Sequence, residues 1–167
     1  MKGRDKLVLY LDFDGVLHHH NCVWHPNIGP YLAAPDEYKI FQHVELLQKL
    51  LEPYPQVGII LSTAWVRRYG CAKSAKNLGH TLRHRVLGAT FHSRMNEEEF
   101  GEKLRGQQVW EDVLRRRPRD WIAVDDVGDG WPAESAGKFI QTDEKLGISK
   151  PTVLAELEAA LMRLCAH

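Results

Sequence analysis

Cysteine is scarce in this sequence. The three present, Cys22, Cys71 and Cys165, are scattered and odd in number. They form neither a disulfide framework nor a zinc-ligand spacing, so a reducing, cytoplasmic setting is expected. An excess of charge of one sign is missing too: 22 Lys and Arg balance 22 Asp and Glu. No global field therefore draws the chain to nucleic acid or to a membrane, although local patches are not excluded. No apolar run approaches the roughly 20 residues that span a bilayer. The charged start, Met1 to Lys6, leads into an apolar run too short for a secretion signal. Internal repeats and low-complexity segments are also lacking. What remains is 167 residues, 44% hydrophobic and 26% charged, the composition of one ordinary globular domain over 1–167.

The strongest pattern is Leu7-Val8-Leu9-Tyr10-Leu11, which stops at Asp12-Phe13-Asp14-Gly15. A continuous apolar run of this length reads as a strand buried on both faces. Val57 to Leu61 repeats the pattern and stops at Ser62-Thr63; Trp121 to Val124 repeats it again and stops at Asp125-Asp126. Shorter strands are expected at Arg85–Ala89 and Lys138–Thr142. Helical spacing follows Asp36 (Phe41, Val44, Leu47, Leu51), runs from Trp65 to about Leu82 with weak points at Gly70 and Gly79, covers Gln107 to Arg117, and starts again near Ser149. The segment 18–36, with Pro26, Pro30 and Pro35, reads as an irregular loop. Strands that alternate with helices predict an α/β fold: a Rossmann-like, mostly parallel five-stranded sheet with helices on both faces. Three strands then end in polar residues at one sheet edge, where open α/β sheets bind ligands.

Four carboxylates converging on that edge require a cation. All-oxygen donors suit Mg²⁺, which is held by a few carboxylates, waters and a substrate phosphate. An aspartate beside such an ion can attack phosphorus, and a second one two residues on can carry the proton.

Asp12-Phe13-Asp14-Gly15-Val16, Ser62, a cation near a helix start and the pair Asp125-Asp126, in that order, resemble the haloacid dehalogenase-like (HAD) superfamily. Leu61-Ser62-Thr63-Ala64-Trp65, Val86-Leu87-Gly88-Ala89-Thr90, Arg105-Gly106 and Thr142-Asp143 are more closely similar to the small HAD domain group named after bacterial RNA-repair proteins. The resemblance implies a HAD-like fold without a large cap domain, and a Mg²⁺-dependent phosphohydrolase that acts on a phosphomonoester through an aspartyl-phosphate. The closer resemblance extends the expected substrates to a nucleotide or a nucleic-acid end. It implies Asp12 as nucleophile and metal ligand, and Asp14 as acid/base whose backbone carbonyl touches the metal. Ser62 binds the phosphoryl oxygens, with Thr63 as fallback. Arg105, or else Lys103, is the site cation. Asp126 completes the metal set with Asp125 assisting. Asp14 argues against dehalogenation, which attacks carbon and needs no acid there.

Other readings stand beside this one. A non-catalytic HAD-fold module that binds Mg²⁺ and a phosphorylated partner would keep the same residues. A phosphoacceptor domain ranks last, because Arg85–Ala89 ends without an aspartate. The histidines His18, His19, His20 and His25 read as a solvated loop rather than a zinc site. Trp110 and Trp121 read as core; Trp24 and Trp131 are candidates for substrate contact. Arg115-Arg116-Arg117 reads as a solvated helix end.

Overall fold

In chain order the strands of the computed structural model, which describes residues 1–166, are β1 (Leu7–Leu11), β2 (Cys22–His25), β3 (Gly29–Leu32), β4 (Val57–Leu61), β5 (Val86–Ala89), β6 (Asp120–Asp125) and β7 (Phe139–Gln141). The helices are α1 (Val44–Leu51), α2 (Trp65–Tyr69), α3 (Cys71–Lys76), α4 (Gly79–Arg83), α5 (Glu97–Glu102), α6 (Arg105–Arg116) and α7 (Pro151–Leu164). Five strands form one parallel sheet in the order β5-β4-β1-β6-β7. The chain builds outward from β1 in one direction through β4 and β5, then returns to its other side through β6 and β7. The ends of β1, β4 and β6 therefore flank the point where the winding reverses, which is where such sheets open a crevice.

Side-chain alternation sorts the central strands between two cores. Leu7, Leu9 and Leu11 of β1 pack with Leu47 and Leu51 of α1 and with Leu157 and Leu161 of α7. Val8 and Tyr10 face the other way and pack with Val109 and Val113 of α6. Each fully buried leucine contributes about 2 kcal/mol of transfer free energy. The expected sheet with helices on both faces is thus present, and the described residues hold no large cap.

Three expectations need correction. The segment 18–36 is not wholly irregular, because β2 and β3 form an antiparallel hairpin with Trp24 opposite Pro30. Pro30 is tolerated there because this ribbon has free edges. The first helix begins at Val44, not after Asp36. The intervening residues form turns, and Phe41 adopts a left-handed φ of 54°. The run Arg115–Arg117 is not simply solvated: Arg116 is 2% exposed. Its Nε donates to Asp112 Oδ2 at 2.7 Å, and Tyr10 Oη donates to the same oxygen at 2.7 Å. A buried guanidinium is stable only with such charge-paired, hydrogen-bonded partners.

Candidate active site

Register places the site. Leu11 lies level with Leu61 on one side and Val124 on the other. The next residues along the three strands are Asp12, Ser62 and Asp125, so they stand side by side at the sheet's C-terminal edge. Period-two alternation continues the Val8–Tyr10 side and aims all three toward α6. Arg105, the first residue of α6, meets them. Its Nη1 donates to the Ser62 carbonyl at 2.6 Å and to Asp125 Oδ2 at 2.9 Å, and it lies 3.2 Å from Asp12 Oδ1. Asp12 and Asp125 are almost wholly buried. Burial alone would lower the pKa of Arg105, but Asp12 and then Asp125 outweigh it and the net shift is upward.

Asp126 follows on the loop and lies over Gly15. A Cβ at Gly15 would sit 2.2 Å from Asp126 Oδ2, and Gly15 has φ 75°. Only glycine combines that backbone conformation with that approach. The Gly15 carbonyl is fixed from behind by Thr142 Oγ1 at 2.6 Å. Carboxylate oxygens of Asp12, Asp125 and Asp126 lie within 4.8 Å of one another. Burial, then the neighbouring Asp12, raises the Asp126 carboxyl to about 6. The same two causes push Asp125 well above the usual range, with Arg105 opposing them. Three crowded carboxylates with one guanidinium are short of positive charge, and their all-oxygen donor set fits a hard divalent cation.

This arrangement carries a pH signature. A divalent cation held there would need Asp126 ionised, so Mg²⁺ affinity is expected to climb as pH rises toward and through about 6, then level off. Calorimetric titration in buffers of different ionisation enthalpy reads the released protons. Asp126→Asn should flatten the climb. It should also stabilise the metal-free protein above pH 6, where the wild type must carry the charge, and not at pH 4, where that carboxyl is protonated.

The other expected residues divide. Thr63 Oγ1 accepts from Trp65 N–H at 3.2 Å, so it serves the start of α2. Lys103 is not at the site: its Nζ pairs with Glu111 Oε2 at 2.6 Å on the far side of the α5–α6 junction. Only Leu104 separates Lys103 from Arg105, but the chain turns between them from the end of one helix to the start of the next. Asp14 stands apart from the Asp12 cluster. Its Oδ1 accepts from Trp65 Nε1 at 3.0 Å and from His18 Nε2 at 2.7 Å. His18 is fully buried and His19 nearly so, against the expected solvated loop; only His20 and His25 are exposed. Of the tryptophans, Trp24 is 46% exposed, whereas Trp131 stacks on Phe139 at 4.0 Å. Sequence reasoning missed His18, Trp65 and Thr142 as parts of the site's surroundings. The i,i+4 spacing of Asp14 and His18 was the one available signal.

A family model described as the HAD domain in Swiss Army Knife RNA repair proteins matches residues 8–153. The chain belongs to that family. The match runs from β1 into α7, so this HAD domain contains every residue of the cluster described above. No curated protein and no solved structure matches the chain. Among the described residues, no helix is long and apolar enough to cross a membrane.

Proposed function

We propose that this HAD domain is a Mg²⁺-dependent phosphomonoesterase working through an aspartyl-phosphate on Asp12. The observation that carries the reading is the convergence of Asp12, Asp125, Asp126 and Arg105 at the reversal point of the sheet. Asp12, Asp125 and Asp126, with the backbone of Asp14, would hold the ion. Bound there, Mg²⁺ supplies charge neutralisation for the incoming phosphoryl group. Arg105 orients the Asp12 carboxylate toward phosphorus, and Ser62 lies beside it to bind a phosphoryl oxygen. Asp12 attacks, the P–O bond to the leaving group breaks, and Asp14 gives that oxygen its proton. Asp14 then takes a proton from the water that opens the acyl phosphate.

The substrate reading is a nucleic-acid or nucleotide phosphate, as the family description of RNA repair suggests. A cleft of about 180 Å³ opens beside Asp14 between α2 and the hairpin and leads into a second of about 440 Å³. Trp24 lies under the Arg68 guanidinium at 4.5 Å, and Lys73 lies over Tyr69 at 5.5 Å. Aromatic faces interleaved with cations suit bases joined by phosphates. Local charge thus supplies what the balanced net charge does not.

The test is a panel of aryl phosphate, sugar phosphates, nucleotides and oligonucleotides with 3′- or 5′-phosphates, with Mg²⁺ or with chelator. Turnover is expected only with Mg²⁺. The double variant Arg68→Ala/Lys73→Ala should lower kcat/KM on oligonucleotides about tenfold or more and weaken its salt dependence, with aryl phosphate turnover within about twofold. Binding of phosphate analogues without turnover of any ester would instead favour the non-catalytic module.

A further inference from the structure

The structure assigns His18 and Trp65 as positioning residues for the Asp14 carboxyl; the assignment rests on the reading of Asp14 as the proton carrier. Two N–H groups converge on one oxygen, Oδ1, from His18 at 2.7 Å and Trp65 at 3.0 Å. Asp14 remains one-third exposed on its side chain. It therefore keeps access to the cleft beside α2, which it helps to line. A carboxyl held by two donors on one oxygen cannot rotate freely, so the face it turns to the cleft is fixed.

The ring of His18 is itself oriented. Its Nδ1 accepts the Phe41 backbone N–H at 3.1 Å. Nδ1 therefore bears the lone pair, Nε2 bears the hydrogen, and that hydrogen points at Asp14. The same tautomer argues against a transition-metal site at Asp14, His18 and Cys22, whose ligand atoms lie within 4.8 Å of one another. With Nδ1 occupied as an acceptor, Nε2 has no lone pair to give a metal. Burial, then Asp14, pushes the Cys22 thiol up to about 12, so it stays protonated beside the carboxylate.

Phe41 delivers its N–H from a left-handed backbone, φ 54°, which is costly for an aromatic residue. Such strain persists where the surroundings over-determine it. Here they do: the Phe41 ring packs on Phe13 at 5.2 Å, on His18 at 4.7 Å and on Trp65 at 5.1 Å, all edge-on. Four rings thus form a cage with two donors aimed at a single oxygen. A hydrophobic core needs neither donor.

Two substitutions at His18 separate positioning from packing. His18→Asn keeps an acceptor for Phe41 and loses the donor to Asp14. His18→Gln keeps a donor at the distance of Nε2 and loses the acceptor. Both are compared by kcat/KM, which reads only steps up to formation of the aspartyl-phosphate, on an alkyl phosphate and on p-nitrophenyl phosphate. The poor alkoxide leaving group needs a proton from Asp14; the nitrophenolate does not.

His18→Asn should lose about 10-fold to 100-fold on the alkyl ester and less than about threefold on the aryl ester. His18→Gln should recover most of the alkyl rate. Trp65→Phe, which keeps the cage and removes the second donor, should show the same selectivity and carries the test if either His18 variant does not fold. Equal losses on both esters, no loss, or a gain would overturn the assignment. If Asp14→Asn shows the leaving-group selectivity and the His18 and Trp65 variants do not, this inference alone fails. A wild-type protein that turns over neither ester overturns the phosphatase reading and this inference with it.

Discussion

Asp12→Asn is expected to abolish phosphatase activity while leaving the fold intact. Asparagine has the same shape, and the backbone bond from Asp12 N–H to the Val124 carbonyl at 3.2 Å is untouched. The substitution removes one of three crowded carboxylates, and Arg105 keeps its partner in Asp125. The metal-free protein should therefore melt no lower than the wild type. Activity should fall by about 10⁴-fold or more, which corresponds to about 5.5 kcal/mol of barrier, because an amide is a poor nucleophile toward phosphorus. Acid quenching during turnover should trap an acyl phosphate on the peptide bearing Asp12, cleaved by hydroxylamine, in the wild type only. Activity within tenfold of wild type, or a phosphopeptide elsewhere, would sink the mechanism.

Arg105→Met is expected to be the most destabilising single change at the site when no divalent ion is present. One Nη1 serves Asp12, Asp125 and the Ser62 carbonyl together. Its loss leaves three carboxylates facing one another with no cation. Removing one partner of a buried charge cluster costs about 3–5 kcal/mol, or roughly 10 °C of melting temperature for a domain of this size. The neighbouring Lys103 cannot take over, since it is engaged with Glu111 on the other side. Mg²⁺ should restore more stability to Arg105→Met than to the wild type, because the ion replaces the missing charge. Arg105→Lys should fall between them: it keeps the charge, but its shorter side chain holds the ammonium back from the three oxygens that Nη1 meets. Urea melts with chelator and with Mg²⁺ measure both effects. An Arg105→Met protein as stable as wild type in chelator would refute the electrostatic account.

The parts of this fold that the sequence revealed are those decided by neighbours along the chain. Apolar runs ending at Asp12, Ser62 and Asp125 gave three adjacent strands, and β-sheet register then forced their next residues together. What was not legible depends on partners far away in sequence. His18 looks like one of a run of loop histidines until Phe41, 23 residues on, supplies the N–H that turns its ring. Arg116 looks like a solvated helix end until Tyr10 and Asp112 enclose it. The choice between Lys103 and Arg105 turned on where one helix stops and the next starts, and boundaries are the least certain part of a pattern reading. The hairpin was hidden by Pro26, which sits in its turn, and by Pro30, which is permitted because the ribbon pairs on one side only.

That hairpin has a consequence for how such a protein can diversify. β2 and β3 share no ladder with the five-stranded sheet. Their base is closed locally, with Asn21 Nδ2 donating to the Ala33 carbonyl at 2.7 Å and Ala33 N–H donating back to Asn21 at 2.9 Å. The segment from 21 to 33 is therefore a separately hydrogen-bonded ribbon, inserted between the carboxylates and the first helix and resting on the domain through Cys22 and Trp24. Changes at its tip leave the register that fixes Asp12, Ser62 and Asp125 untouched, because no backbone ladder joins the two sheets. Under the proposed function, the hairpin can change what this domain meets while the strand ends that carry its chemistry stay in register.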